Sequence, residues 1–220
     1  MQQRYLELLR RLARMTASWP VIPQVDQSPA GVIPRINLSV KLSSLCARFD
    51  PLDPETESGM RQRVRSILRE AARFDAAITI DMEQYAFKPL TFQLFRALLE
   101  EEEFAAWPRV GLAVQAYLRD TGSDLAVLIG WAKQRGRRIG IRLVKGAYWD
   151  SEVAWAQQKN WPVPVFLAKA ETEANYERLS RLLLESHDVV DAAFGSHNRT
   201  LAQNMHALVF FGQVDQLEVG

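Results

Sequence analysis

The sequence predicts an α/β protein whose parallel strands form an incomplete barrel, and three observations lead to this prediction. Segments with the alternation of a β-strand take turns along the chain with helical stretches. No hairpin signature joins consecutive strands, which favours parallel pairing through right-handed crossovers, in either an open doubly wound sheet or a closed barrel. The third observation is that one face of every strand is small or polar.

Five segments carry this strand pattern, with one hydrophobic parity and one small or polar parity. They are residues 36–42, 78–83, 110–115, 139–145 and 190–197. Central strands of a doubly wound sheet are covered by helices on both faces and tend to be apolar throughout. A (β/α)8 barrel, or TIM barrel, instead has an inner face that can carry chemistry at its carboxyl end. We therefore expect a TIM-like barrel whose small, polar interior leaves space for a large ligand.

Each strand segment is followed by a helical stretch, and Pro, Gly and Asp residues mark the loops. The predicted helices cover residues 57–74, 90–104, 123–137, 171–187 and 200–210. The acidic run at residues 100–103 is expected to be a solvated helix end. Residues 215–220 have the pattern of a sixth strand. Since a barrel of this type has about 250 residues, the sequence predicts a barrel truncated after about six strands, and hence a fragment of a longer protein.

Two regions are predicted along the chain. Residues 1–35 combine an amphipathic helix over residues 1–15 with a proline-rich stretch at residues 19–35. We expect the helix to pack against the body of the fold, because a stripe of this kind mostly faces a core. The prolines are too many for a regular element, so the stretch is predicted to be a linker or an embracing arm. Residues 36–220 are predicted to form the incomplete barrel.

Composition and charge argue against several classes of function. The net charge is +1 and both signs are interspersed, which gives no electrostatic footprint for nucleic acid or an anionic membrane. No apolar run approaches the roughly 20 residues of a membrane span, and the start carries charges too early for a secretory signal. We therefore expect a soluble, cytoplasmic chain. Cys and His residues show no metal-ligand spacing, so no metal site is predicted.

Charged and amide side chains lie at the ends of the five strand segments, on the polar parity. They are Lys41, Asp81, Gln115, Arg142 and His197. Since the carboxyl ends of barrel strands meet on one side, we expect these side chains to face one cavity. Two simpler interpretations stay open. His197 is then a hydrogen-bonded core histidine, and Lys41 with Asp81 is a structural salt bridge, which is compatible with a substrate role.

Residues 141–150, which read I-R-L-V-K-G-A-Y-W-D, hold the densest chemistry. Arg142 lies in an apolar strand and Lys145 follows at its end. Gly146 lets a ligand approach the backbone closely. Tyr148 and Trp149 supply flat surfaces for stacking, the alternative being that both pack a helix. Together these residue types suit a large, anionic, planar cofactor.

Five motifs follow one another in a specific order and spacing. They are V-K-L-S at residues 40–43, I-D-M-E at 80–83, Q-A-Y at 115–117, the ten-residue block at 141–150 and S-H-N at 196–198. In this arrangement the chain resembles the proline dehydrogenases, and most of all the dehydrogenase domain of bifunctional proline utilization A proteins. The resemblance covers roughly residues 37–208, and the ten-residue block is very specific.

The resemblance implies a distorted TIM barrel that binds FAD, oxidises L-proline to Δ1-pyrroline-5-carboxylate and passes electrons to a membrane quinone. It also implies peripheral association of the full-length protein with the inner membrane. The catalytic residues carried over are Lys41, Asp81 and Arg142, of which Lys41 and Asp81 also bind the substrate. The residues carried over to the cofactor are Gln115, Arg142, Val144, Lys145, Gly146, Trp149, His197 and Asn198. Because an open barrel exposes strand edges, a homo-oligomer is a further expectation.

One departure from the family affects the prediction. Family members carry, after the last strand, a helix with a Tyr-x-x-Arg-Arg type element that clamps the proline carboxylate, and no such element is present here. Since a bidentate Arg clamp contributes to affinity and orientation, we expect the 220-residue chain alone to be inactive or barely active. The alternative to an enzyme is a non-catalytic flavin-binding or structural barrel fragment. A barrel enzyme for a phosphate-bearing substrate is disfavoured, because no Gly-rich phosphate loop follows the late strands.

Further domains are a matter of the resemblance alone. The second activity of the bifunctional proteins, an aldehyde dehydrogenase for glutamate semialdehyde, would lie beyond Gly220, and no feature of the chain supports it directly. The ribbon-helix-helix DNA-binding module of some relatives is not evident in the sequence, so DNA binding is not predicted.

Overall fold

The computed structural model describes residues 1–28, 31–51 and 53–196. The chain divides into two compact units, Met1–Leu112 and Ala113–Gly220. The boundary that the sequence predicts at residue 35 stays a prediction.

The first unit contains five helices and, with the strand that leads out of it, five strands. The helices are α1 (Gln2–Thr16), α2 (Pro23–Asp26), α3 (Pro54–Arg73), α4 (Lys88–Glu100) and α5 (Glu102–Ala105). The strands are β1 (Gln27–Ser28), β2 (Gly31–Val32), β3 (Asn37–Val40), β4 (Ala77–Ile80) and β5 (Val110–Gln115). Two 3₁₀ turns, Leu42–Leu45 and Tyr85–Phe87, follow β3 and β4 respectively. These counts refer to the residues that the structure describes.

Strands β3, β4 and β5 pair in parallel, as the absence of hairpins predicts. Leu38 lies opposite Ile78, and Ile78 lies opposite Val110. The apolar parity faces the core, where Val40 and Ile80 are completely buried. These strands therefore end at the same edge of the sheet, which brings the residues after β3 close to those after β4.

Helix α1 packs against α3, as its amphipathic pattern predicts. Leu9 is completely buried, and Arg10 Nε donates a hydrogen bond of 2.6 Å to Glu70 on α3. The Glu70 side chain is buried, and the hydrogen bond from Arg10 holds the pKa of its carboxyl below the usual value. Both an apolar and a charged contact thus attach the N-terminal helix to the body of this unit.

Residues 19–28 and 31–35 contain more regular structure than their prolines predict. Pro23 begins the four-residue helix α2, where its missing N–H is not needed, and β1 pairs with β2 in antiparallel orientation. The Arg35 guanidinium donates to the carbonyls of Trp19 at 2.7 Å and Pro20 at 3.0 Å, and to Asp26 at 2.9 Å. Because this order depends on one side chain at the end of the segment, local sequence pattern does not predict it.

The acidic run at residues 100–103 is not a simple solvated helix end. Glu101 separates α4 from α5 and accepts two hydrogen bonds from Arg65, at 2.7 and 2.6 Å. Glu103 accepts two from Arg69, at 2.6 and 2.8 Å. Since residues four apart on a helix share one face, Arg65 and Arg69 present a paired basic surface on α3 to which the acidic run attaches.

The second unit contains, among its described residues, three helices and two further strands. The helices are α6 (Thr121–Arg135), α7 (Trp149–Gln158) and α8 (Lys169–Glu185), and the strands are β6 (Ile139–Val144) and β7 (Val190–Gly195). Strands β6 and β7 pair in parallel, with Arg142 opposite Ala193. Helix α6 ends at Gly136, whose φ of +61° forms a left-handed cap. The sequence pattern does not predict α7, because its apolar residues form no regular stripe.

The five strands β3 to β7 form one sheet in the order β3-β4-β5-β6-β7, which confirms the predicted α/β class. The described part of this sheet is not closed into a barrel. The predicted helix at 200–210 and the predicted sixth strand at 215–220 lie outside the described residues. Within the described ranges, no helix is both long enough and apolar enough to cross a membrane.

Candidate active site

Lys41 directly follows β3, and its backbone is held by a closed ring of hydrogen bonds. The Lys41 N–H donates to the Tyr5 hydroxyl at 3.3 Å. This hydroxyl lies 3.2 Å from Ser44 Oγ, which donates to the Lys41 carbonyl at 2.7 Å. The Lys41 side chain is exposed. A fixed backbone with an exposed ammonium group can present a positive charge to a small anionic ligand.

Asp81 follows β4 at the corresponding place. Its N–H donates to the Val40 carbonyl at 2.9 Å, so the strand pairing continues up to this residue, and its side chain is half-buried. Two residues later, the buried Glu83 accepts hydrogen bonds from the Ser43 N–H at 3.0 Å and from Ser43 Oγ at 2.5 Å. Within the first unit, the segments that carry Lys41 and Asp81 are therefore connected both by backbone and by side chain.

Strand β6 has the alternation that its sequence predicts. Buried on one parity are Ile139, Ile141 and Leu143, and half-buried on the other are Gly140, Arg142 and Val144. On β7, Ala193 and Gly195 are exposed, and a Cβ added at Gly195 would lie 3.1 Å from Val144 Cγ1. Because these residues of β7 are small, their side chains fill little volume on the face of the sheet that carries Arg142. Space is therefore left beside the Arg142 side chain.

Strand β5 differs from the predicted pattern, because it is buried on both faces. Gln115, predicted to face a cavity, is 2% exposed. Its carbonyl accepts a hydrogen bond of 2.6 Å from Thr121 Oγ1, and the next carbonyl, that of Ala116, accepts one of 2.7 Å from Asn175 Nδ2. The backbone at the carboxyl end of β5 is therefore fixed by side chains of α6 and α8.

Gly146 follows β6 and has a φ of +129°, a conformation that residues with a Cβ rarely adopt. A Cβ at this position would lie 2.4 Å from Cδ1 of Tyr117, so the Tyr117 ring occupies the space beside the glycine. Tyr117 is buried, and this burial, together with the Glu152 carboxylate, raises the pKa of its hydroxyl. The hydroxyl therefore stays protonated at physiological pH.

The predicted cofactor residues Lys145 and Trp149 each have one defined contact. Lys145 Nζ lies 3.0 Å from Glu173 on α8, which balances part of its charge. Trp149 Nε1 donates to the Phe166 carbonyl at 2.8 Å, while its side chain remains 39% exposed. The indole is thus fixed at its polar edge and leaves part of its ring surface open.

The structure brings the predicted site residues together in two groups. Lys41 and Asp81 belong to the first unit, and Gln115, Arg142 and the block after it belong to the second. That all of them face one cavity stays a prediction. His197 and Asn198 lie outside the described residues. In the described part of the chain, His, Cys, Asp and Glu residues form no group of three that could hold a metal ion.

Several residues around these groups are not singled out by the sequence analysis. Ser43, Glu83 and Tyr117 lie inside the motifs V-K-L-S, I-D-M-E and Q-A-Y, so membership of a motif is a signal that could have found them. Tyr5 and Glu173 carry no such signal, because each acts on a residue that is distant in the sequence.

Parallel strands that end in polar residues, with a positive-φ glycine after one of them, are typical of a class of α/β proteins that bind ligands at their strand ends. A comparison with known families specifies the class further. The sequence profile described as "Proline dehydrogenase" matches residues 1–218. The chain belongs to the proline dehydrogenase family.

Individual relatives agree with this assignment. The chain is 31% identical over 179 residues to the bifunctional protein PutA of Salmonella typhimurium, which covers 80% of this chain and 14% of that protein. It is 33% identical over 175 residues to PutA of Escherichia coli, covering 78% of this chain and 13% of that protein. The chain therefore spans about one seventh of the length of these relatives.

A solved structure has the same fold. It is proline utilization A from Bdellovibrio bacteriovorus, inactivated by N-propargylglycine, with a TM-score of 0.92 and 35% identity. The match covers 100% of this chain and 22% of that chain. The fold is thus that of the proline dehydrogenase part of these proteins, a TIM-like barrel, as the strand pattern predicts.

Proposed function

We propose that the protein containing this chain oxidises L-proline to Δ1-pyrroline-5-carboxylate with FAD as its cofactor. The reaction removes a hydride from the ring carbon next to nitrogen and a proton from the nitrogen, which leaves a C=N bond. FAD, when bound, supplies the chemistry by accepting the hydride. The observation that carries the proposal is the geometry of residues 141–150 in a chain of this family.

The residues after β6 fit a large flat anionic cofactor. Arg142 lies on the half-buried face of β6, beside small residues of β7, and a guanidinium is charged at every relevant pH. The Gly146 backbone has a side without a Cβ, at a position where any Cβ would overlap Tyr117. We propose that Arg142, Val144, Lys145, Gly146 and Trp149 hold FAD, together with Gln115, His197 and Asn198.

The residues after β3 and β4 fit the substrate. Proline carries a carboxylate, and the exposed Lys41 side chain on its fixed backbone offers a cation for it. The half-buried Asp81 is one residue beyond the last paired residue of β4, where it would organise the same pocket. Lys41 would bind and orient the substrate, and Asp81 would keep the pocket in its binding geometry.

Finer features are proposed on family membership alone. They are a quinone as electron acceptor, peripheral membrane association of the full-length protein, a homo-oligomeric state and an aldehyde dehydrogenase partner domain. Residues 1–35 are proposed as an arm and residues 36–220 as the barrel domain. We also propose that the 220-residue chain alone is inactive or barely active, since proline capture is expected to need the Tyr-x-x-Arg-Arg type element of the family.

The test is flavin retention and proline oxidation by the product of the full gene, with the 220-residue chain in parallel. After incubation with excess FAD and desalting, we expect flavin absorption in both and reduction of a quinone analogue by proline in the full product. Arg142→Met should lower flavin retention about tenfold or more, because it removes a charge-assisted contact to the cofactor. Arg137→Met, which removes an exposed cation before β6, should change nothing. A full product that binds no flavin would reject the proposal, and flavin retention without proline oxidation would favour the non-catalytic alternative.

A further inference from the structure

The contact between Glu83 and Ser43 connects two segments of the proposed substrate site. Glu83 is 8% exposed, and its two carboxylate oxygens accept hydrogen bonds from the N–H and the hydroxyl of one residue, Ser43. The two residues are 40 positions apart in the chain. Hydrogen bonds to an ionised acceptor are about twice as strong as those between neutral groups, so this contact is a substantial constraint.

The position of this contact decides what it constrains. Ser43 is two residues after Lys41, and Glu83 is two residues after Asp81. On the strand side of the same two residues, the Asp81 N–H donates to the Val40 carbonyl. Lys41 and Asp81 thus lie between two connections of their segments. One is the backbone hydrogen bond from Asp81 to Val40, and the other is the pair of hydrogen bonds from Ser43 to Glu83.

The Lys41 segment depends on these anchors because its own local bonds form a separate ring. The bonds of Tyr5 and Ser44 fix the shape of the turn around Lys41. The bonds at Val40 and Ser43 join this turn to the β4 side. We therefore expect the distance between the Lys41 and Asp81 backbones to depend in part on the Glu83 carboxylate.

We propose that Glu83 is a positioning residue that sets the spacing of Lys41 and Asp81 for the substrate. The inference rests on the proposed proline dehydrogenase function and deepens it. Glu83 itself touches Ser43 rather than the substrate, so its removal should act through the placement of Lys41. A misplacement of about 1 Å can lower a rate by about a hundredfold, and a partial loosening should have a smaller effect.

The primary experiment measures steady-state proline oxidation by the full gene product and its Glu83→Gln variant. A glutamine keeps one acceptor oxygen and has no charge, so it cannot reproduce the pair of charge-assisted bonds that the two carboxylate oxygens accept from Ser43. We expect the KM for L-proline to rise about tenfold, with flavin content unchanged and kcat lowered less, as for a loss of substrate placement. An unchanged KM would overturn the proposal.

Glu101→Gln is the matched control. Glu101 also accepts two hydrogen bonds from one residue of the same unit, Arg65, but lies away from Lys41 and Asp81 in the chain. Its substitution should lower the melting temperature without changing the KM. If Glu101→Gln raises the KM as much as Glu83→Gln does, the effect is general destabilisation and the proposal fails.

Two further variants keep the proposal testable if Glu83→Gln folds poorly. Ser43→Ala removes one of the two donors and should raise the KM less than Glu83→Gln, whereas Ser43→Thr keeps the hydroxyl and should restore the wild-type value. In a Lys41→Ala background, Glu83→Gln should raise the KM by less than twofold, because non-additivity is expected of residues that act through one another. Fully additive effects would contradict the proposal.

Amide hydrogen exchange gives a readout that does not depend on turnover. In Glu83→Gln, the Ser43 N–H should lose protection, while the Asp81 N–H, bonded to Val40, should keep it. The kinetic results also distinguish a failure of the proposed function from a failure of the role assigned to Glu83. Wild-type protein that does not oxidise proline would reject the proposed function, whereas active wild-type protein with an unchanged Glu83→Gln KM would reject the role of Glu83 alone.

Discussion

The ends of β3 and β4 in the first unit and the end of β6 in the second are held in place by different physical means. Around Lys41 and Asp81, the backbone is fixed by hydrogen bonds from side chains, those of Tyr5, Ser44 and Glu83. Around Gly146, it is fixed by a ring that fills the space of a missing Cβ. Loss of a single hydrogen bond around Lys41 should therefore lower stability by a small amount, whereas an added side-chain atom at Gly146 should lower it strongly.

The sharpest way to test this contrast is Gly146→Ala. The added Cβ would lie 2.4 Å from the Tyr117 ring at a φ of +129°, so backbone strain and overpacking act together. We expect a loss of about 2–4 kcal/mol of unfolding free energy and a loss of flavin retention, measured by urea denaturation and by absorption after desalting.

Gly130→Ala provides the control for this substitution. Gly130 lies inside α6, and a Cβ there would have nothing within 4 Å. Alanine should raise the unfolding free energy by about 0.5–1 kcal/mol, because it is the better helix former. If Gly146→Ala behaved like Gly130→Ala, the steric account of the second region would be wrong.

Asn175→Ala should have the next largest effect. Asn175 is buried and donates to the Ala116 carbonyl at 2.7 Å, next to Tyr117. Its removal leaves that carbonyl without this donor, so we expect a loss of about 1–3 kcal/mol in thermal or urea unfolding. Ser180→Ala is the comparison, since buried Ser180 bonds only to Tyr176 within its own helix. If Ser180→Ala lowered the unfolding free energy as much as Asn175→Ala does, the hydrogen bond at the end of β5 would be no more important than a bond within one helix.

In the first unit, Tyr5→Phe tests the small loss expected around Lys41. It removes the hydroxyl that accepts the Lys41 N–H but keeps the ring. We expect the unfolding free energy to fall by about 0.5–1.5 kcal/mol and the KM for proline to rise by a few-fold in the full gene product. Tyr176→Phe, which removes a hydroxyl bonded to the Leu143 carbonyl at 3.4 Å, should leave the KM unchanged. A KM that responds equally to both would mean that Tyr5 has no specific effect on Lys41.

The smallest effect is expected from Glu70→Gln, and it should depend on pH. The Arg10 hydrogen bond lowers the pKa of Glu70 from its ordinary value of 4.5. A carboxyl with a lowered pKa in the folded state stabilises it above the unfolded pKa, and this stabilisation is lost as the pH falls through the folded pKa. Since Arg10 is 47% exposed, solvent screening should limit the loss to about 1 kcal/mol or less.

Urea denaturation at several pH values checks this prediction. Wild type and Glu70→Gln should differ at pH 7 and converge as the pH falls below the ordinary carboxyl pKa of 4.5, because the lowered pKa of Glu70 delays the uptake of its proton. A difference that stays constant over this range would show that the ion pair is not the source. The pH series also distinguishes the contribution of the Arg10–Glu70 ion pair to the attachment of α1 from that of the hydrogen bonds around Lys41.

Sequence periodicity predicts the parts of this molecule whose environment is regular. The alternation of residues 139–144 correctly separates the buried Ile141 from the half-buried Arg142, because one face of β6 packs on helices. The same reasoning does not describe β5, where Gln115 is 2% exposed. A strand buried on both faces gives its polar residues no distinct side, so their surroundings do not follow from the alternation.

Contacts between distant residues explain what the sequence could not predict. The ten-residue block predicts Arg142 and Gly146 as site residues, since its residue types are unusual together. The partner of Gly146, Tyr117, is known only once the chain is folded, and the same is true of Ser43 and Glu83, 40 residues apart. Motifs therefore locate a site, whereas the residues that hold it in shape follow from the tertiary structure.

The bond from Lys41 to Tyr5 makes the attachment of α1 part of the thermodynamics of the site. By linkage, any ligand that binds better when this bond is formed also strengthens the attachment of α1, by the same free energy. Ligand affinity and protection of the N-terminal helix from proteolysis should therefore rise and fall together. Helix α1 is in this way expected to respond to occupancy of the proposed substrate site.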